Sequence, residues 1–442
     1  MFPERAQGKK RPPFFFSSKG YTPQQYHFIY TGAVMKSFLT LKSVDEVLSL
    51  VETFERLPEE YVPLDESAGR YLARDWSAPE DLPGFDRSTV DGYAVRARDV
   101  FGAQEGSPAL LECVGECPMG RTPDFSLAPG QTARIFTGGM LPEGADCVVM
   151  VEYSRPAGGN LVELVRTQAP GDHVLERDED AAKGQVLIPA GRRLRPQETG
   201  LLAALGQVRV PVTRRPRVAV LSTGDEVVPC EEKPQSGQVR DVNSHSLAAL
   251  CRKEGAEVRL AGLVRDDVAR LEATVRGLLD WADVVLLSGG SSAGMRDHTV
   301  DIFLSMPESA LLVHGAAISP GKPFILARSG RKCLMGLPGH VSSALVCARA
   351  FLSPLLRHLQ GGEAPVVPGV QAVLSRAVAS AQGRRDFIRV KLSRTEEGWV
   401  ADPVTAPSGL ISGLVVADAL VVCPENSEGL YAGQEVFAEL LD

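Results

Sequence analysis

A multidomain protein of mixed α/β and β architecture is the fold that the sequence predicts, on three observations. The chain has 442 residues, too long for one ordinary domain and enough for about three units that each bury a core. From Arg217 to Gln360, short apolar runs alternate with helix-like stretches, the pattern of a parallel, doubly wound sheet with helices on both faces. On either side of that region the runs are short, β-branched and broken by Gly and Pro, which is the texture of small β domains.

Residues 1–34 carry a basic cluster at Lys9 to Arg11 and aromatics at Phe14 to Phe16, without the apolar core of a signal peptide. They are expected to be a disordered tail or the product of an upstream start site. An amphipathic segment follows from Phe38 to Phe54; within it Ser43 and Glu46 have capping-box spacing ahead of Val44, Val47, Leu48 and Val51, and Pro58 closes it. Strands are predicted at residues 109–114, 132–136, 147–151 and 161–165. In the α/β region they are predicted at 218–221, 258–264, 284–287, 311–314, 324–327 and 333–335, with helices at 244–253, 268–279 and 341–359. Gly255 stands where the first of these helices needs a C-terminal cap. After Gly361 and Gly362, runs at 367–374, 387–392 and 420–422 predict a small C-terminal β-barrel or sandwich.

Apolar residues make up 44% and charged residues 23% of the chain, and no apolar run reaches membrane-span length. The formal charge of -8 lacks the basic footprint of a nucleic-acid binder. Neither a nucleic-acid nor a membrane partner is expected. Eight cysteines are scattered without zinc-knuckle spacing, so reduced, mostly buried thiols in a cytoplasmic protein are the plain expectation.

Ligands of open α/β sheets bind beyond the carboxyl ends of the strands, so those loops hold the candidate chemistry. Ser222, Thr223, Gly224, Asp225 and Glu226 follow one strand and read either as an acidic capped turn or as a binding loop. Arg265, Asp266 and Asp267 follow the next, with capping the better role for at least one aspartate. Residues 288–297, including Gly289, Gly290, Ser291, Ser292, Gly294 and Asp297, can turn a row of backbone N–H groups toward a phosphate. The turns 319–323 and 336–340 bring Lys322, a point charge suited to an oxyanion, and His340, more often a cap than a ligand. Asp225, Glu226, Asp266 and Asp297 together would offer hard oxygen ligands to Mg²⁺. Outside this region, residues 83–94 pack Asp86, Arg87, Ser88, Thr89 and Asp91 into one short segment, where Asx turns and function are evenly matched.

The segment Pro83 to Ala94 resembles the signature of the molybdopterin molybdenumtransferases of the MoeA type, also seen in the C-terminal region of gephyrin. Three further blocks resemble that family in order and spacing: Ser222 to Glu226, Gly237 to Asn243 with Ser288 to Asp297, and Gly336 to Gly339. The resemblance covers residues 35–442. It implies a helix-strand linker domain (35–80 with 175–215), an inserted β-rich domain (81–174), a molybdopterin-binding α/β domain (216–360) and a C-terminal β-barrel (363–442), assembled as a homodimer. It also implies a reaction in which adenylylated molybdopterin and molybdate give molybdenum cofactor and AMP with Mg²⁺ or another divalent cation, in clefts shared between subunits. The upstream adenylyltransferase is an implied partner.

Carried over by motif, the catalytic candidates are Asp86, Thr137, Asp180, Glu226, Asp266, Asp297 and Pro338. Glu226 and Asp297 are the implied metal ligands. The substrate-binding candidates are Ser222, Thr223, Gly224, Asp225, Asp241, Asn243, Gly289, Gly290, Ser291, Ser292, Gly294 and Lys322. Arg384, Arg389 and Ser408 resemble family positions near the oxyanion. The chain departs from the family pattern at Ser319, where Lys is usual, at His340 and Val341, where Asn-Pro is usual, and at Asp178, where Gly is usual. Two other readings compete: molybdopterin adenylyltransferase, which has a different Gly loop, and a non-enzymatic gephyrin-like scaffold, which has no need of so many carboxylates.

Overall fold

The computed structural model describes residues 41–289, 293–363 and 367–441. Gly290, Ser291 and Ser292 lie outside the described residues, as do the side chains of residues 293–297 and the expected tail at 1–34.

The α/β region is built on a six-stranded sheet in the order Glu257–Val264, Arg217–Thr223, Val284–Ser288, Lys332–Leu337, Ile325–Ser329, Ser309–His314. The first four strands are parallel, as expected. Ile325–Ser329 runs antiparallel to both of its neighbours, so the sheet is mixed and the all-parallel expectation is corrected. The cause is local: only Gly330 and Arg331 separate this strand from the next, and Gly330 has φ +54°, so the chain turns back as a hairpin with no room for a crossover helix.

Alternate residues of the central strands feed two cores, as a period of two requires. Val218, Val220, Val284 and Leu286 pack on one face with Leu247 and Cys251 of the helix Asn243–Lys253 (α3). Ala219, Leu221, Val285 and Leu287 pack on the other with Leu271 and Val275 of Val268–Leu279 (α4) and with Ile302 and Phe303 of Ala293–Leu304 (α5). The first face is completed by the N-terminal helix Val44–Val51 (α1), through Val44, Val47 and Val51. Ser43 and Glu46 close the capping box as expected, but the helix ends at Val51 rather than near Pro58.

Residues 59–82 and 181–213 form a smaller unit. Glu59–Pro63 pairs with Arg209–Thr213, and Leu72, Trp76, Ile188, Leu202 and Val210 fill its core. Its helix Pro196–Ala204 (α2) starts with Glu198 buried at the third position, where it accepts from the Arg195 backbone N–H at 2.9 Å and pairs with Arg195 at 2.6 Å and Arg192 at 3.2 Å. The Arg195 contact holds the Glu198 carboxyl down at about 2 instead of 4.5. A depressed acid contributes stability above its unfolded pKa and loses it as pH falls toward the folded one. With the two arginines half in water, that contribution is about 2 kcal/mol. Urea midpoints taken between about pH 5 and about pH 2 should therefore fall less steeply for Glu198→Gln than for the parent, and parallel curves would remove Glu198 from the acid response.

The inserted β-rich region forms a six-stranded sheet, Cys147–Met150, Gly92–Val95, Gln131–Ile135, Ala109–Cys117, Leu161–Leu164, Ser154–Pro156. At the C-terminus, Gly369–Leu374, Arg385–Thr395, Gly398–Pro403, Ala419–Cys423 and Glu435–Leu440 close into a five-stranded barrel. The barrel is stitched to the α/β region where Ile318–Ser319 pairs with Arg385 and Asp386, and where Arg385 bridges Asp45 of α1 at 3.0 Å and Glu425 at 2.8 Å. All eight cysteines are free thiols.

Candidate functional site

Three loops meet at the carboxyl ends of the central strands because three adjacent parallel strands, Arg217–Thr223, Val284–Ser288 and Lys332–Leu337, end at the same level. Gly289 lies between two of them with φ +119°; a Cβ there would sit 2.0 Å from the Thr223 carbonyl oxygen, so only glycine fits. Its N–H points to the Leu337 carbonyl at 3.4 Å. Pro338 is buried next to that carbonyl. The Asn243 carboxamide, at the start of α3, donates to Ser288 Oγ at 2.8 Å and to the Gly339 carbonyl at 2.9 Å, tying three loops together. Its Oδ1 is buried with no protein partner among the described residues.

The acidic residues of this cleft brace loops. Ser222 Oγ donates to Asp241 Oδ1 at 3.1 Å, which also accepts from the Ser244 N–H at 3.1 Å. Thr223 Oγ1 donates to Asp266 Oδ1 at 2.8 Å, and the Asp266 N–H points to Asp225 Oδ1 at 3.3 Å. Asp267 caps α4 by accepting from the Arg270 N–H at 3.1 Å. Gly224 turns the chain at φ +147°, leaving Asp225 and Glu226 exposed. Gly294 and Asp297 lie on α5 with side chains outside the described set, and no group of three His, Cys, Asp or Glu side chains suited to a metal occurs among the described residues. Of the expected cluster of Asp225, Glu226, Asp266 and Asp297, Asp266 also braces Thr223 across a strand end, and the side chain of Asp297 lies outside the described set.

Past Gly339 the chain reaches a second chamber. His340 precedes the helix Val341–Cys347 (α6) but makes no side-chain cap; its Nδ1 lies 2.9 Å from Ser408 Oγ. The Ser342 N–H donates to the Ser408 carbonyl at 3.1 Å. Ser408, Ser319, Arg376, Phe387 and Arg389 line a cavity of about 510 Å³ between the α/β region and the barrel. Arg376 is spent on Asp402 at 3.5 Å and on the Pro403 carbonyl. Arg389 donates to Ser342 Oγ at 3.2 Å and to the Ala406 carbonyl, with no carboxylate partner among the described residues. Burial lowers its pKa from the ordinary arginine value, the direction expected of a cation removed from water without a counter-ion.

Two further cations are candidates for the oxyanion. Arg384 is held by Asp386, two residues on, at 2.8 Å and is not part of the cavity wall. Lys322 is exposed and also stands outside the wall. Ser342, absent from the sequence-based candidates, orients Arg389; a serine inside an apolar helix start carries no signal that distinguishes it from packing.

A third group lies in the N-terminal half. Thr137 donates to Asp91 Oδ1 through both its N–H and its hydroxyl at 2.7 Å, and these bonds hold the Asp91 carboxyl below the usual range. Asp86 Oδ1 accepts from the Arg177 N–H at 2.7 Å, while the Arg177 side chain pairs with Asp81 at 2.5 Å. Asp180 is exposed one turn away, its N–H bonded to the Leu82 carbonyl. Asp178 has φ +62°, a backbone conformation that accounts for glycine as the usual family residue there. The bonds of this group stay within the inserted and linker regions among the described residues.

Compared with known proteins, the chain matches three family models in tandem: the MoeA N-terminal region (domain I and II) over residues 42–206, a probable molybdopterin binding domain over 219–358, and the MoeA C-terminal region (domain IV) over 371–441. It is 36% identical over 383 residues to a molybdopterin molybdenumtransferase of Nostoc sp. (strain PCC 7120), covering 85% of this chain and 87% of that one. A molybdopterin molybdenumtransferase of Bacillus subtilis (strain 168) is 31% identical over 398 residues, covering 89% and 92%. Among solved structures, a molybdopterin biosynthesis MoeA protein from Pyrococcus horikoshii OT3 superposes with a TM-score of 0.78 at 32% identity, over 91% of this chain and 100% of that one.

Proposed function

The chain belongs to the molybdopterin molybdenumtransferases of the MoeA type, and from that premise we propose that it joins molybdate to the dithiolene of adenylylated molybdopterin, with release of AMP. It is a transferase that inserts molybdenum in molybdenum cofactor biosynthesis. The observation that carries the finer reading is Arg389, a half-buried guanidinium with no carboxylate partner among the described residues, lining the chamber between the α/β region and the barrel. A buried cation is stable only when paired, and a tetrahedral dianion supplies the missing charge.

In this reading the loop that Gly289 opens binds the pterin phosphates. Asn243 holds the loop against Gly339, so that phosphate and oxyanion subsites keep a fixed separation. Arg389 and Ser408 bind molybdate oxygens and aim the metal at the dithiolene sulfurs. Two molybdenum–sulfur bonds form as the two dithiolene thiols give up their protons, which leave with one molybdate oxygen as water; a second water cleaves the phosphoanhydride, releasing AMP and leaving the other phosphate on the pterin. Asp86, with Thr137 and Asp180 nearby in the inserted and linker regions, forms the facing wall.

A divalent cation fits this site only in part. Asp225 and Glu226 are exposed on one turn, and Mg²⁺ is commonly held by one or two carboxylates together with substrate phosphates. These two, with Asp297, would hold it; when bound, it would neutralise charge developing on the departing AMP. We place the reaction in the cytoplasm; no helix among the described residues is long and apolar enough to cross a membrane. The working species is a homodimer in which Asp86 of one subunit faces the Gly289 loop of its partner.

Reconstitution is the test of the reaction: the full chain, adenylylated molybdopterin, molybdate and Mg²⁺ should yield cofactor able to activate an apo-molybdoenzyme, and no activation would overturn the reading. The shared cleft has its own test. Co-refolded Asp86→Ala and Asp297→Asn chains place both lesions in one cleft of each heterodimer and leave the other whole, so about a quarter of the parental activity should return with random pairing. No recovery in verified heterodimers would show that each cleft belongs to one chain.

A further inference from the structure

His340 replaces the asparagine usual in the family, and it sits at the oxyanion chamber that has also lost the lysine usual at Ser319. On the reading of that chamber as the molybdate site, we propose that His340 is a positioning residue that couples oxyanion binding to uptake of a proton, through Ser408.

The geometry gives the coupling a defined route. His340 Nδ1 lies 2.9 Å from Ser408 Oγ, and Ser408 lines the chamber while His340 does not. A serine hydroxyl has one proton to donate and two lone pairs. When the neutral imidazole carries its proton on Nε2, Nδ1 is an acceptor and draws the Ser408 proton away from the chamber. When the ring is protonated, Nδ1–H must donate to Ser408 Oγ. The Ser408 proton is then free to turn toward an oxyanion oxygen. Protonation thus converts Ser408 into a donor facing the chamber and brings a second positive charge to its rim.

The surroundings allow that proton. From the segment 403–409 the ring meets Ser408 and Gly409, neither of which is charged. From the barrel strand the charged group is Arg389, held by Ser342 at the start of α6. From α3 the neighbour through Gly339 is the neutral Asn243, and the acid just before it, Asp241, is occupied by Ser222 and Ser244. Within its own helix α6 the sole titratable group is the buried thiol of Cys347. The ring is exposed and free to exchange its proton with water. A dianion bound in the chamber would favour the protonated ring. Affinity therefore rises as pH falls, because the anion favours the protonated ring and raises its pKa in the complex. An asparagine at this position cannot do this.

Calorimetric titration of the full chain with molybdate, in buffers of different ionisation enthalpy, reads both affinity and protons taken up. Between about pH 8 and about pH 6 the parent should gain roughly tenfold in affinity and take up a fraction of a proton per anion. His340→Asn should bind with near the parent's high-pH affinity, without slope or proton uptake. Ser408→Ala should flatten most of the slope while His340 is still present. A flat parent, or a His340→Asn variant with the parental slope and proton uptake, overturns the proposal. Arg389→Met separates the two layers: if it abolishes binding while the parent is flat, the chamber is the oxyanion site and His340 has no part in it. If it leaves binding unchanged, the chamber is not that site and both readings fall.

Discussion

Arg389→Met should lower molybdate affinity by about 100-fold and leave the fold in place. The guanidinium is the one cation of the chamber wall without a carboxylate partner among the described residues. Truncating a fully buried, hydrogen-bonded charge that faces an opposite charge costs roughly 2–5 kcal/mol, and 100-fold lies at the lower end of that range, as suits a half-buried guanidinium. Folding should survive because methionine removes a cation that burial already disfavours, and fills the volume beside Gly413. The lost bonds to Ser342 Oγ and the Ala406 carbonyl cost about 1 kcal/mol each. Arg389→Lys is the useful control: a point charge cannot span both partners, so an intermediate loss of about tenfold is expected. Equilibrium dialysis with molybdate checks both. Parental affinity in Arg389→Met would mean that the anion is neutralised elsewhere.

Gly289→Ala should be the most damaging single methyl group in the cleft. The added Cβ would stand 2.0 Å from Thr223 O and 3.0 Å from Thr223 C, backbone atoms of the neighbouring strand, at φ +119°. Neither can yield without separating three strand ends that share the Ser222, Ser288 and Leu337 register. A stability loss of about 3 kcal/mol or more is expected, from clash and left-handed strain together, with cofactor formation abolished. Gly237→Ala isolates the strain alone: it has φ +88° but nothing within 4 Å of where the added methyl would stand, so about 1 kcal/mol is expected. Urea denaturation of both variants checks the difference, and equal losses would mean that the Thr223 contact relaxes at little cost.

Local signals in the sequence reached local structure. Ser43 and Glu46 form the box that their spacing predicts, Gly255 caps α3 at φ +86°, and Asp267 caps α4, because each depends on atoms within a few residues. The three-loop cleft was legible for a different reason: in a parallel sheet, strand ends share a level, so loops after strands converge. The antiparallel course of Ile325–Ser329 was less legible because an apolar run has no direction. The packing of α1 on the α/β sheet was hidden because its apolar face fits any core, and its partners Phe351 and Leu355 belong to a segment far along the chain. Arg384 illustrates the limit within a site. Its charge suits an oxyanion, but whether Asp386 or the ligand takes that charge is set by the barrel strand's path. The pairing of His340 with Ser408 spans 68 residues and two domains, and no pattern in either segment announces it.

The defining step is the joint consumption of adenylylated molybdopterin and molybdate. Its most direct test is to follow AMP by chromatography while the full chain is mixed with adenylylated molybdopterin and Mg²⁺, with molybdate absent and then added. One AMP should be released per molybdenum bound, with release depending on molybdate and lost in Arg389→Met. AMP release that ignores molybdate, or AMP incorporation from ATP into molybdopterin instead, would contradict this mechanism.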